Sequence, residues 1–273
     1  GVQTCALPIW GQSLTDALKG GRFQDEASLR GLFDQLTGAL EEVHETGYIH
    51  RDIKPDNIHL REDGRAVLLD FGSARQAIGV ATKNLTATIT PGYAPFEQYD
   101  GAQTGDRKQG PWTDIYALGA VLYELLVGAT PLDSRELRAA GLTELRRRIR
   151  EEDPPKPSTR ISTLGEASTD VAKARRTDPA SLSRLLRGDL DWIVMKCLEK
   201  ERTRRYETAN GLAADIERHL NDEPVVAGPP SARYRAGKFI RRNRAMVSAA
   251  SAVAIILRSE EHTSEFQSQF RIS

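Results

Sequence analysis

The sequence predicts a mainly α-helical fold that carries one small β-hairpin. Apolar residues recur at three- and four-residue steps within residues 28–47 and again within 189–220, which is the period of amphipathic helices. Residues 112–128 are apolar or small on nearly every side, a pattern typical of a helix buried in the core. Residues 58–69 hold two short apolar runs around a polar turn, the pattern of a hairpin. A chain of 273 residues, 39% apolar and 28% charged, suffices for one large globular domain or two small ones.

The composition excludes several classes of protein. Lys plus Arg and Asp plus Glu balance at 38 each, so the chain as a whole carries no field that would favour nucleic acid. Two cysteines give no disulfide framework. Cys197 lies within an apolar run, which predicts a buried reduced thiol and no metal–thiolate site.

Two helices are predicted ahead of the hairpin. The first covers Gln12–Phe23, with Ser13 or Thr15 near its start. The second begins at Ser28 and ends at Gly47. Its apolar face is formed by Leu29, Leu32, Phe33, Leu36, Leu40 and Val43.

The predicted hairpin joins Ile58–Leu60 to Ala66–Leu69 through a polar turn in which Gly64 takes a positive φ angle. Because a hairpin returns its two ends to one place, polar side chains before the first run are expected to lie beside Asp70, after the second. The expected cluster comprises Asp52, Lys54, Asn57 and Asp70. Carboxylate and amide oxygens suit Mg²⁺, an ammonium group suits phosphate, and a spare carboxylate can accept a hydroxyl proton.

Two short motifs flank this hairpin. His-Arg-Asp-Ile-Lys-Pro-Asp-Asn at 50–57 and Asp-Phe-Gly at 70–72 together resemble the catalytic loop and the metal-binding triplet of eukaryotic-type protein kinases. Either motif alone recurs by chance, whereas both at hairpin spacing are specific. The resemblance implies the fold of the large, C-terminal lobe of a kinase. Positions that support the shape of the site are His50, Arg51, Phe71 and Gly72.

The resemblance also implies the chemistry of the site. Asp52 orients the substrate hydroxyl and accepts its proton, and Lys54 stabilises the transferred phosphoryl group. Asn57 and Asp70 hold Mg²⁺, and the implied cofactors are ATP and Mg²⁺. Lys54, two residues after the Asp, points to Ser/Thr rather than Tyr substrates.

Residues 73–90 are rich in hydroxyl groups and lack a regular period, so they are predicted to form a loop. By resemblance this loop is the activation segment, and Arg51 fits the subclass of kinases in which a phosphate on that segment pairs with this Arg. The threonines that fit the role are Thr82, Thr86, Thr88 and Thr90. Unmodified linker threonines stay the alternative for each of them.

Residues 90–97, Thr-Pro-Gly-Tyr-Ala-Pro-Phe-Glu, resemble the end of that segment, with Phe96 as a departure from the usual pattern. The resemblance implies that Glu97 pairs with Arg205 in the interior. Losing one partner of a buried ion pair costs about 3–5 kcal/mol.

The apolar helix at 112–128 is expected to be capped by Thr113 or Asp114 and stopped by Gly128. It resembles the central helix of the kinase large lobe. The resemblance implies that Asp114 accepts backbone N–H groups from the catalytic loop and so holds the shape of that loop.

The later part of the chain returns to helices. Leu142–Arg150 is predicted as a basic helix ended by the proline-rich residues 153–158. Residues from about 158 to 188 have weak periodicity and are predicted as an insertion, a partly helical surface excursion. Residues 189–200 and 210–220 are predicted helices that close the domain. The insertion contains Arg175, Arg176 and Arg184. These arginines form either a docking patch or an ordinary solvated face.

Residues 223–244 read as a basic juxtamembrane linker, and 245–257 as an apolar helix or a truncated transmembrane segment. A plain amphipathic or alanine-rich helix is the alternative. Residues 185–196 resemble a group of bacterial membrane-attached Ser/Thr kinases. The positive-inside rule then predicts a single-pass protein with its kinase lobe at the cytoplasmic face of the membrane, and a cytoplasmic location is the alternative.

Both ends look foreign to the fold. Residues 1–9 and 258–273 resemble translated sequencing adapter, with short natural tails as the alternative. The kinase domain is predicted to span 10–222 and to contain the large lobe only. The small β lobe is predicted to be missing because its glycine-rich loop, strand Lys and helix Glu do not occur.

The function that the resemblance implies is a protein Ser/Thr kinase, which transfers the γ-phosphoryl group of ATP to proteins in signalling. Its implied partners are substrate proteins and a second copy for dimerisation or autophosphorylation, without nucleic acid. Two alternatives stay open, a non-catalytic kinase-like scaffold and a small-molecule phosphotransferase. Without the small lobe, the chain alone is expected to bind ATP poorly and to be inactive.

Overall fold

The architecture is a set of helices arranged around one buried helix. The computed structural model describes residues 11–19, 26–76, 89–99, 109–253, 255 and 258. The α-helices are α1 (Leu14–Lys19), α2 (Glu26–Glu45), α3 (Pro111–Val127), α4 (Ser134–Ala139), α5 (Leu142–Glu151), α6 (Pro157–Thr163), α7 (Glu166–Ala174), α8 (Pro179–Leu186), α9 (Asp189–Cys197), α10 (Ala209–Leu220) and α11 (Ala232–Arg242). The prediction of a mainly α-helical fold is confirmed.

Two small antiparallel sheets are formed around residues 48–76, the segment that carries the predicted site residues. The strands are β1 (Gly11–Ser13), β2 (Tyr48–Ile49), β3 (Ile58–Arg61), β4 (Ala66–Leu68) and β5 (Arg75–Gln76). β3 and β4 form the predicted hairpin, and Gly64 has a φ angle of 85° in its turn. β1 lies on the other edge of β3, and β2 pairs with β5. The pairing of β2 with β5 brings together the two ends of the segment 48–76.

The helix predicted over Gln12–Phe23 is wrong in its first residues. Residues 11–13 form β1, because their backbone pairs with β3, a strand far away in sequence. α1 begins after Ser13, whose hydroxyl accepts a hydrogen bond from the backbone N–H of Asp16 (3.1 Å) and so caps the helix. The predicted end at Phe23 lies outside the described residues.

α3 is the central helix of the core. Its side chains are almost all buried, as its apolar sequence predicts, and it packs against α6, α9 and α10. The predicted cap is wrong, because Gly110 is the N-cap and Pro111 occupies the first turn, where proline is favoured. Thr113 instead accepts a hydrogen bond from the backbone N–H of Gly110 (3.3 Å). α3 ends as predicted at Gly128, which has a φ angle of 77°.

The region predicted as a surface excursion, about 158–188, is part of the core. It forms α6, α7 and α8, and its apolar side chains join the main hydrophobic cluster. Two of its hydroxyl groups are paired in the interior, since Ser158 donates to Asp191 (2.6 Å) and Ser183 donates to the carbonyl of Ser158 (3.0 Å). Serine-rich composition indicated exposure, but these hydrogen bonds remove the cost of burying the hydroxyls.

The arginines of this region divide between two environments. Arg175 donates to the carbonyl oxygen of Leu125 near the end of α3, and burial lowers the pKa of Arg175 to about 10. Arg176 and Arg184 are exposed. Arg175 is therefore a partner of the α3 terminus, while Arg176 and Arg184 lie on a solvated surface.

The C-terminal part also packs on the domain. Val225 is 5% exposed and joins the main hydrophobic cluster, and α11 lies within the region predicted as a basic linker. Residues 244–253 continue as helix and are mostly exposed. Among the helices in the described ranges, none has both the length and the apolar character that crossing a bilayer requires. The transmembrane segment at 245–257 stays a prediction.

Candidate active site

The loop between β2 and β3 is anchored on α3 by Asp114. This carboxylate is fully buried and accepts hydrogen bonds from the backbone N–H groups of His50 (2.8 Å) and Arg51 (2.7 Å). The Nε2 atom of His44 lies 2.8 Å from the same carboxylate. Buried charge is tolerated when it is hydrogen-bonded, so these donors fix the loop to the core. The backbone contacts of Asp114 are those that the resemblance implies, whereas His44 was not identified from the sequence.

Arg51 has an unusual backbone conformation. Its φ angle of 73° is left-handed, which is strained for a residue other than glycine. Gln98 donates from Nε2 to the carbonyl oxygen of Arg51 (2.7 Å) and so supports this conformation. Gln98 was not identified from the sequence. The sequence feature that could have indicated its role is its position directly after Glu97.

The ring of His50 connects the two sequence motifs. Its Nε2 atom lies 3.0 Å from the carbonyl oxygen of Leu69, and its Nδ1 atom accepts from the backbone N–H of Asp52 (3.4 Å). In this arrangement Nε2 faces an acceptor and Nδ1 faces a donor. The ring also packs against Phe71, at 4.6 Å between ring centroids. The backbone N–H of Leu69 donates to the carbonyl of Asn57 (2.8 Å), so residues 50–57 and 69–71 are held together.

Both carboxylate oxygens of Asp52 are held by neighbouring side chains. Asp52 is 6% exposed, and its Oδ2 atom accepts from Lys54 Nζ (2.7 Å) and Asn57 Nδ2 (2.9 Å). The hydroxyl of Thr90 donates to Oδ1 (2.9 Å) and accepts from Lys54 (3.2 Å). The structure therefore brings Asp52, Lys54 and Asn57 together as expected, and adds Thr90. The sequence indicated Thr90 only as one of several threonines in the activation segment.

The orientation of the Asn57 amide suits a metal ligand. Its nitrogen donates to the carbonyl oxygen of Asp52 (2.8 Å) as well as to the carboxylate, which uses both N–H bonds. The amide oxygen is thus left as a hard acceptor of the kind that Mg²⁺ prefers. In the described part of the chain, no group of three His, Cys, Asp or Glu side chains converges in a way that would hold a metal ion.

Asp70 has a different set of contacts from the rest of the expected cluster. It lies in the left-handed region with a φ angle of 60°, is exposed, and accepts a hydrogen bond from the backbone N–H of Gly72 (3.1 Å). A Cβ atom at Gly72 would lie 2.9 Å from Asp70 Oδ1, so a larger residue there would displace this carboxylate. Leu69, which precedes Asp70 in the chain, contacts His50 and Asn57 through its backbone. The carboxylate of Asp70 accepts its hydrogen bond from Gly72, within the same turn.

Among the predicted activation-segment residues, Thr82, Thr86 and Thr88 lie outside the described residues. Arg51, the predicted partner of a phosphate on that segment, has its Nη1 atom 3.5 Å from the carbonyl oxygen of Ser73. The role of these threonines and of Arg51 stays a prediction.

The end of the segment is fixed by a buried ion pair between Glu97 and Arg205. The two guanidinium nitrogens lie 2.6 and 3.2 Å from the two carboxylate oxygens, which is a bidentate arrangement. Arg205 is 3% exposed and also donates to the carbonyl groups of Trp112, Glu199 and Lys200. The pair that the resemblance implies is present.

A second polar contact near the loop was not identified from the sequence. The hydroxyl of Tyr93 donates to Glu124 on α3 (2.6 Å). Burial raises the pKa of Glu124, and the charge of Asp56 in the loop raises it further. The sequence feature that could have indicated this contact is Glu124, a single acid within the otherwise apolar part of α3.

Known proteins resemble this chain in sequence and in fold. A family model described as protein kinase domain matches residues 8–216. A serine/threonine-protein kinase PknB from Mycobacterium tuberculosis is 33% identical over 69% of this chain and 26% of its own length. A serine/threonine-protein kinase PknA from a Nostoc species is 41% identical over 45% of this chain and 22% of its own length.

A solved structure described as "PpkA-294 apo form" is 32% identical, covers 77% of this chain and 61% of its own, and superposes with a TM-score of 0.50. The matched family range covers most of the chain, so the chain belongs to the protein kinase family. Its fold is kinase-like, and its named relatives are bacterial Ser/Thr kinases. The chain spans only about a quarter of the length of these curated relatives.

Proposed function

We propose that the chain is the large lobe of a bacterial protein kinase that transfers the γ-phosphoryl group of ATP to Ser or Thr of substrate proteins. The observation that carries the proposal is the buried carboxylate of Asp52, held on both oxygens by Lys54, Asn57 and Thr90. A carboxylate oriented in this way is suited to position a substrate hydroxyl and to accept its proton. Family membership and the names of the relatives support the same reaction class.

The other side chains take roles that follow from their contacts. Lys54 carries a positive charge beside Asp52, where it can stabilise negative charge on the group being transferred. Asn57 presents its amide oxygen, and Asp70 presents an exposed carboxylate, as ligands for Mg²⁺. Bound Mg-ATP would supply the phosphoryl group and neutralise its charge. Asp114 acts indirectly, because it holds the backbone of the loop that carries Asp52.

On this proposal a small lobe precedes the chain in a longer protein, and the reaction is tested in that longer protein. Asp52→Asn is expected to lower the rate of phosphoryl transfer from radiolabelled ATP by about 10²–10⁴-fold, because the proton acceptor is lost. Asp56→Asn is the matched control, since Asp56 lies in the same loop but is exposed and bonded to the hydroxyl of Thr15. Unchanged transfer by Asp52→Asn would rule out Asp52 as the base.

The same assay separates the alternatives. A kinase-like scaffold would show no transfer in the unaltered longer protein. A small-molecule phosphotransferase would label small acceptors but no protein.

We also propose that this chain alone binds Mg-ATP weakly and turns over little. The proposal rests on the sequence, in which the phosphate-binding glycine-rich loop and the strand Lys of a small lobe do not occur. Calorimetric titration of the chain with Mg-ATP is expected to show no micromolar binding. Micromolar affinity would contradict the proposal.

We propose that the protein is attached to the cytoplasmic face of a bacterial membrane through residues 245–257. We also propose that residues 1–9 and 258–273 are foreign sequence. The proposal is supported by the basic residues before the apolar run. Genomic sequence read through both junctions tests it. A continuous apolar segment of about 20 residues supports attachment, and a polar continuation after residue 257 contradicts it.

A further inference from the structure

The C-terminal helix α11 is docked on the domain by a buried charged cluster. Lys238 is 3% exposed, and its Nζ atom lies 2.5 Å from Asp189 at the start of α9. Tyr234 donates to the other oxygen of Asp189 (2.8 Å), and His219 lies 3.0 Å from the carboxylate. Although burial raises the pKa of Asp189, hydrogen bonds from His219, Lys238 and Tyr234 outweigh it and lower the pKa to about 2. One face of α11 is therefore fixed to the domain.

The segment that leads into α11 is also fixed. The carboxylate of Asp215 on α10 accepts hydrogen bonds from the backbone N–H groups of Val226 (2.7 Å) and Ala227 (2.8 Å). The ring of Tyr234 packs edge-on against Trp192 on α9, at 5.2 Å between centroids. Because both the segment and the helix are bonded to α9 and α10, α11 has a set orientation relative to the domain.

The opposite face of α11 is exposed and combines positive charge with apolar side chains. Phe239 and Ile240 are 48% and 50% exposed. The exposed arginines beside them are Arg233, Arg235 and Arg244. No acid occurs from Ala232 to Arg258. After the turn at Asn243, residues 244–253 are helical again and expose apolar residues such as Met246 and Val253.

We propose that the outward face of α11, formed by Arg233, Arg235, Phe239 and Ile240, together with Arg244 just beyond its end, binds the surface of an anionic phospholipid membrane. Arginines and bulky apolar side chains on one helix face are the combination that lies at an anionic lipid interface. The basic charge complements anionic headgroups, and the face continues directly into the apolar residues after 244. The inference deepens the proposed membrane attachment, but it does not depend on phosphoryl transfer.

The consequence is a fixed orientation of the domain at the membrane. Lys238 points inward to Asp189 while its neighbours Phe239 and Ile240 point outward. A domain bonded to α11 in this way faces the membrane with one fixed side, because it is not joined to the helix by a flexible linker alone.

Flotation of the 273-residue chain with vesicles tests the proposal. The chain is expected to bind vesicles of phosphatidylcholine mixed with phosphatidylglycerol more strongly than vesicles of phosphatidylcholine alone. Each arginine near an anionic surface contributes about fivefold to binding. The triple variant Arg233→Gln, Arg235→Gln, Arg244→Gln is therefore expected to bind on the order of 100-fold more weakly.

The matched control removes the same charge from exposed arginines elsewhere. These are Arg65→Gln, Arg184→Gln and Arg187→Gln. The control is expected to bind like the unaltered chain, and thermal melting checks that both triple variants stay folded.

Three results would overturn the proposal. Equal binding by the two triple variants would mean that the face is not the binding surface. Equal binding to both kinds of vesicle would assign attachment to the apolar residues alone. Self-association in sedimentation velocity that is lost in the first triple variant, without a preference for anionic vesicles, would assign the face to a second copy of the chain.

Discussion

Removing Arg205 is expected to destabilise the domain strongly, because its partner Glu97 would be left in the interior without a counter-ion. Arg205 is 3% exposed and Glu97 is 8% exposed, and the two are joined at 2.6 and 3.2 Å. Loss of one partner of such a pair costs about 3–5 kcal/mol. Arg205→Met also removes the hydrogen bonds to the carbonyl groups of Trp112, Glu199 and Lys200. We therefore expect a cost at the upper end of that range.

The assay is urea unfolding of a double-mutant cycle, followed by tryptophan fluorescence. Glu97→Gln alone is expected to cost somewhat less than Arg205→Met, because the amide can still accept one hydrogen bond and Thr113 remains as a neighbour (3.3 Å). The double variant is expected to cost less than the sum of the two single variants by about 1–3 kcal/mol, the usual coupling between contacting residues. Additive single costs, or single costs below about 1 kcal/mol, would refute the account of a buried, coupled pair.

Three further predictions test the catalytic cluster, the packing of the core and the docking of α11. In the longer protein, Thr90→Val is expected to lower kcat about 10-fold or more, because a hydrogen bond to a charged group is lost. Thr90→Ser is expected to keep activity, because it keeps the hydroxyl. Equal steady-state rates for the two variants would contradict the role of the hydroxyl. Gly119→Ala is expected to cost about 1–3 kcal/mol in urea unfolding, because its Cβ would overlap that of Cys197. The control Gly211→Ala, which meets only ordinary contacts, is expected to stabilise by up to about 1 kcal/mol; a shift of both in the same direction would count against this packing. Asp189→Asn is expected to reduce stability at pH 7, and the difference from the unaltered chain should fade as the pH drops from about 4 towards 2, because the folded pKa lies below the unfolded value. A difference that stays constant over this range, measured by urea unfolding at each pH, would contradict the assigned partners of the carboxylate.

Three members of the expected cluster were predictable because they are close together in sequence, whereas the meeting of Asp70 with them stays a prediction. The motif from His50 to Asn57 and the hairpin that follows are local, so residue order alone indicated that Asp52, Lys54 and Asn57 would meet. The contact of Thr90 with Asp52 spans a loop whose conformation no local pattern specifies.

Features that depend on distant partners were the ones that sequence reasoning missed. β1 exists because residues 11–13 pair with β3, and this partner outweighs the local helical period. Ser158 and Ser183 are buried because they bond with each other and with Asp191, although their residue type favours the surface. Lys238 reads as one more basic residue in the sequence, and only its burial against Asp189 shows that it docks α11.

The most direct test of the central claim is phosphoamino-acid analysis of protein labelled by the longer kinase with γ-labelled ATP and Mg²⁺. Label is expected on Ser or Thr, dependent on Asp52, with none on Tyr. Label on Tyr, or on Ser and Thr to the same extent when Asp52 is replaced by Asn, would contradict it.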